Sequence, residues 1–159
     1  MVGKDKVSTY TATVAWARAA GAPFKDNKYS RAHEWRFDGG TVVPASSSPK
    51  VVPLPLSNAA AVDPEEAFVA ALSSCHMLFL LFYAAKAGFV IDAYEDEASG
   101  EMGKNAKGVM AMIKVRLRPK IVWVDRTPSA AELDELHHKA HESCYLANSV
   151  TAEVVIEPR

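Results

Sequence analysis

The chain has 159 residues and a formal charge of −1, from 18 Lys and Arg against 19 Asp and Glu. That length suits one domain, and so even a balance argues against a nucleic-acid or membrane-surface protein, each of which needs a positive field. Apolar residues make up 49%, too many for a disordered chain, and two cysteines are too few for a disulfide-stapled secreted domain.

In chain order, Met1 to Lys6 lacks the apolar stretch of a signal peptide. Tyr10, Ala12, Val14 and Trp16 alternate with threonines and Ala15, the period of a strand. Tyr29 to Asp38 alternates as well and runs into Asp38-Gly39-Gly40, a hairpin turn signal. Ala45 to Val62, rich in Ser and Pro, reads as an ordered loop. Asp63-Pro64-Glu65-Glu66 then opens a helix. Asp63 suits the cap, Pro64 the first helical position, and Glu66 closes a capping box. The helix continues from Ala67 to Ala87 and stops at Gly88. Its second half is apolar all round, which predicts burial by the surroundings. The longest apolar run, Met77 to Ala85, falls short of the ~20 residues of a membrane span.

Phe89 to Tyr94 and Lys120 to Val124 are short strand candidates. Val109 to Leu117 is a longer one, with alternate apolar residues on one face. A second helix starts at Thr127-Pro128-Ser129, with Ser129 and Glu132 as a capping box, and reaches about Cys144. Val150 to Ile156 is a closing strand. The expected architecture is α+β, with sheet wrapped around a buried helix, in a single domain over residues 1–159 and in the cytoplasm.

Chemistry concentrates in few places. Ser73-Ser74-Cys75-His76 is the polar interruption of the apolar helix. A free cysteine commonly packs as a small hydrophobe, but four small or polar residues in mid-helix cost packing unless they line a cavity or interface. In a reducing compartment a distant pair such as Cys75 and Cys144 is more often redox-catalytic than structural. Arg31 and His33 share a strand phase with Tyr29, Trp35 and Phe37, and a guanidinium on an aromatic face requires a partner. His137, His141 and Cys144 lie in an H-x-x-x-H-x-x-C pattern that offers three metal ligands on one helix side.

Asp63 to Phe68 followed by Ala70-Ala71-Leu72-Ser73-Ser74-Cys75 resembles the motif that opens the central helix of the OsmC/Ohr superfamily. Ala140-His141-Glu142-Ser143-Cys144 with Asn148-Ser149 resembles that family's second cysteine motif. The resemblance implies an OsmC-like α+β fold, an intertwined homodimer with sites at the subunit interface, and a thiol peroxidase that reduces organic hydroperoxides. By position, Cys75 is the implied peroxidatic cysteine, Cys144 the resolving one and Glu65 the motif glutamate. The family arginine matches Arg18 or Arg31, and the strand phase favours Arg31. On this reading Arg31 stabilises the Cys75 thiolate, Glu65 orients Arg31, and an external dithiol restores the thiols. No cofactor, resident metal, nucleic acid or membrane is implied. Two alternatives stand beside it: a metal-binding module using His137, His141 and Cys144, and a non-catalytic stress-associated binding domain. Ten residues of helix separate Glu65 from Cys75 by ~15 Å, so Glu65 would serve the Cys75 of a second copy.

Overall fold

A computed structural model describes residues 7–159; the segment read above for a signal peptide lies outside the described residues. The chain divides into two compact units, Met1–Pro64 and Glu65–Arg159.

The first unit is an antiparallel sheet in the order β1-β2-β3, formed by β1 (Ala12–Ala15), β2 (His33–Phe37) and β3 (Val42–Ala45). Trp35 pairs with Val14 on one side and Val43 on the other. The β2–β3 hairpin turns through Gly40 at φ 83°, a conformation glycine adopts without steric cost. The Ser/Pro-rich loop is ordered, as its composition suggested. Buried Ser46 donates its N–H to the Val62 carbonyl and accepts from the Asn58 N–H at its hydroxyl.

Strand β2 is shorter than its alternation implied, which corrects the reading of Arg31. The backbone N–H of Arg31 donates to Leu56 at 2.7 Å instead of joining the ladder. Residues 29–32 are therefore loop, and no strand face dictates where Arg31 points.

In the second unit, α1 runs unbroken from Pro64 to Lys86. It ends where the sequence signalled: Gly88 takes φ 81°, and the Phe89 N–H returns to the Ala84 carbonyl at 2.9 Å. Around it lie β4 (Val90–Asp96), β5 (Ser99–Lys104), β6 (Met110–Leu117), β7 (Pro119–Val124), α2 (Ala130–Ser143), a 3-10 turn (Ala147–Ser149) and β8 (Glu153–Ile156). β4 pairs antiparallel with β7. β5 pairs antiparallel with β6, and β6 pairs parallel with β8. The Ser129–Glu132 capping box of α2 is fully formed.

Helix α1 joins two apolar clusters. Its first half places Leu72 with Val115 and Leu117, flanked by Val154 and Ile156. Its second half places Leu80 and Ala84 with Phe89 and with Leu136 and Ala140 of α2. The buried positions Leu72, His76, Leu80 and Ala84 recur every four residues, a single stripe. This corrects the expectation of all-round burial. Within one chain Leu78 is 60% exposed and Phe82 41%, because sheet and α2 cover only one side of an evenly apolar cylinder. The whole helix is also long and apolar enough to cross a membrane by length and composition, which the Met77–Ala85 run alone is not. Its packed stripe makes it a core helix of this unit.

Candidate active site

Cys75 lies in mid-α1, half-buried, and Cys144 is the buried C-cap of α2. Both are free thiols. The fold places them side by side, near enough for the Cys75 thiol to act on Cys144. Burial, and after it the Cys75 thiol, pushes the Cys144 thiol up to about 11. Cys144 therefore holds its proton. The turn beyond α2 fixes it further, since the Ala147 N–H donates to the Cys144 Sγ at 3.4 Å. The Asn148 amide donates to the carbonyls of Cys144 at 3.0 Å and Glu142 at 2.8 Å.

The neighbours of the thiols tie α1 to α2. Nε2 of His76 and Nδ1 of His137 are 3.0 Å apart, with ring planes 4° from parallel. His76 is 1% exposed and His137 5%. Burial is the main cause that drives the His76 pKa down to about 3, with His137 and His141 adding to it. His137 is also lowered, by burial, against the opposing pull of Asp134 and Asp96. Both rings are thus neutral, and one donates to the other. Tyr83 Oη and Ser143 Oγ hydrogen-bond at 2.7 Å. The Tyr145 ring meets Phe79 edge-on, with centroids 5.1 Å apart. Ser73 donates to Asp96 of β4, whose other carboxylate oxygen accepts the Arg118 N–H.

Glu65 stands in the first turn of α1. Because α1 is continuous, ~15 Å of helix axis keeps it from the Cys75 of its own chain. Arg31 belongs to the first unit. Its guanidinium donates to the Tyr29 carbonyl and to the backbone and side-chain oxygens of Asn27, and it lies 3.7 Å over the Tyr29 ring. Arg18 donates to the Ala22 carbonyl. His33 Nε2 accepts from the Trp35 indole, and its Nδ1 lies 2.8 Å from the Arg31 carbonyl. Among the described residues no group of three or more His, Cys, Asp and Glu side chains is arranged to hold a metal ion. The donor set proposed from His137, His141 and Cys144 therefore does not converge. His137 turns to His76 instead.

The His76–His137 contact was missed from the sequence. One signal was present: His76 falls between Leu72 and Leu80 on a four-residue stripe, where a polar ring needs a partner.

Residues 57–159 match the family model described as OsmC-like protein. The chain belongs to the OsmC-like protein family. A structure of an OsmC-like protein of unknown function from Vibrio cholerae is 52% identical. It covers 96% of this chain and all of that one, with a TM-score of 0.94. An organic hydroperoxide resistance protein from Elizabethkingia anophelis is 18% identical, covers 97% of this chain and 96% of that one, and has a TM-score of 0.70. OhrB of Bacillus subtilis, another organic hydroperoxide resistance protein, is 20% identical over 96% of this chain and 98% of that one, at a TM-score of 0.65. These two share the fold. No curated protein sequence matches the chain.

Proposed function

We propose that this OsmC-like chain is a thiol peroxidase that reduces organic hydroperoxides to alcohols. The observation that carries the reading is the contact between Cys75 and Cys144, two free thiols brought together from residues far apart in sequence. An ordinary thiol is only a few per cent thiolate near neutrality, and the two sulfurs divide by accessibility. Cys75, the more accessible sulfur, attacks the peroxide as thiolate. The O–O bond breaks, the alkoxide leaves and takes a proton, and Cys75 becomes a sulfenic acid. Cys144 then attacks the Cys75 sulfur. Water departs with the Cys144 proton and a disulfide closes. An external dithiol returns both sulfurs to thiols by exchange.

In this proposal the whole chain works as one domain in a cytoplasmic homodimer. Arg31, or Arg18 in its place, stabilises the Cys75 thiolate, and Glu65 of the second copy orients that arginine. Family membership and the fold shared with organic hydroperoxide resistance proteins support the substrate class. The apolar side chains of Met77, Leu78 and Phe82 near Cys75 on α1 suit an alkyl peroxide better than hydrogen peroxide. The test is titration of the reduced protein with cumene hydroperoxide while free thiols are counted. Loss of two thiols per chain is expected, with one cumyl alcohol formed per pair. Cys75→Ser should consume no peroxide and keep its remaining thiol. Thiols that survive a large excess of peroxide in the unsubstituted protein would refute the reading.

A further inference from the structure

Two helices that meet only through apolar side chains can slide and rotate over one another at small cost, because dispersion and burial carry little directionality. Hydrogen bonds do not allow that freedom. The α1–α2 contact here contains two of them, His76–His137 and Tyr83–Ser143, and just past the end of α2 Tyr145 adds an aromatic contact to Phe79. Their placement follows the thiols. His76 is next to Cys75 in the chain, and Ser143 and Tyr145 flank Cys144 on either side. Each sulfur therefore has a chain neighbour fastened to the opposite helix.

The imidazole pair is an expensive way to fill a core. Burying two rings removes four nitrogens from water, and the contact at 3.0 Å satisfies only one nitrogen of each ring. The outer atoms, His76 Nδ1 and His137 Nε2, are buried without a partner among the described residues. A leucine pair would pack there without that cost. What an imidazole pair adds is orientation, since the parallel rings and the shared proton define one relative position of the helices. The two hydrogen-bonded ties leave α1 seven residues apart, about two turns. Helix α2 cannot swing about either alone.

We propose that His76–His137 and Tyr83–Ser143 are positioning pairs that hold Cys144 against Cys75, so that the second thiol closes on the first. The inference rests on the pairing of the two cysteines used in the proposed function. It adds that this pairing is set by side chains whose hydrogen bonds are made to one another.

The test uses an aromatic disulfide, 5,5′-dithiobis(2-nitrobenzoate), on the full reduced chain, and needs no peroxide. Cys75 thiolate attacks the reagent, forms a mixed disulfide and releases one thionitrobenzoate. Cys144 then loses its proton to solvent and attacks the Cys75 sulfur. That step releases the second thionitrobenzoate and closes the protein disulfide, so the S–S bonds balance. In the unsubstituted protein the second release should be independent of reagent concentration. In Tyr83→Phe and His137→Leu the first release should keep its rate, and the second should slow about tenfold or more. His137→Asn, whose amide reaches the place of Nδ1, should restore much of the second rate. A role in general stability alone would move both steps together and would give no rescue.

An unchanged second step in Tyr83→Phe, and in His137→Leu wherever that variant folds, overturns the proposal. So does a second release in the unsubstituted protein that scales with reagent, which would mean that the two thiols react separately. If the protein closes its disulfide with the reagent but spares its thiols in cumene hydroperoxide, the peroxidase reading fails and the positioning role stands.

Discussion

At the scale of single residues, the centre of the C-terminal unit is governed by where protons sit. Cys144 keeps its proton because it is buried beside Cys75, and His76 refuses one because it is buried beside His137. The second fact has a thermodynamic consequence. Unfolded, His76 takes a proton near 6.5; folded, it does so only near 3. Between those values the unfolded chain binds more protons, so stability is fully present above about pH 6.5 and is lost as pH falls toward 3. Urea midpoints should therefore drop steadily from pH 7 to pH 5. A His76→Phe, His137→Phe double variant should show a visibly flatter dependence over that interval, and an identical slope would exclude these rings as its source.

At the scale of elements, the helices were readable from sequence because their ends carry short-range chemistry. Ser129 and Glu132 bond reciprocally, and Arg126 also holds the Glu132 carboxylate. Ser129→Ala should cost about 1 kcal/mol, read from chemical denaturation. Two strands were not readable. β3 contains Pro44, and β5, Ser99–Lys104, has two glycines and no alternation of apolar residues. β5 exists through its pairing with the next strand, β6, a cause that the residue pattern within β5 does not carry. Its Gly100 is needed for a reason only the packing shows. A Cβ there would stand 2.6 Å from Met112 Sδ and 2.7 Å from Val69 Cγ2. Gly100→Ala should lower stability by roughly 1–3 kcal/mol by overpacking β5 against α1. The candidate site divides the same way. Cys75, Cys144 and Glu65 stood out as motif positions, whereas the contact of residues 76 and 137, 61 positions apart, needed the fold. Arg31 was placed on a strand by alternation that simply continued past the real strand end.

At the scale of the whole molecule, α1 is the odd element: a core helix with part of its apolar surface left open in one chain. Leu78 and Phe82 remain substantially exposed. In the proposed homodimer this surface is covered by the second copy. Leu78→Glu combined with Phe82→Glu should then shift sedimentation from dimer toward monomer, and a dimer unchanged by both charges would place the interface elsewhere.

The contact between Cys75 and Cys144 has one further consequence, in the mechanics of the chain. A bond there would close a loop of about 70 residues, and chain-entropy reasoning values a loop of that size at roughly 4 kcal/mol of resistance to unfolding. The loop takes in β4 to β7 and all of α2. The protein that has just met a peroxide should accordingly be the one that melts at the higher temperature, and reduction by a dithiol should bring the melting point back down. Thermal stability would then serve as a record of oxidation, readable in a calorimeter without following the reaction itself.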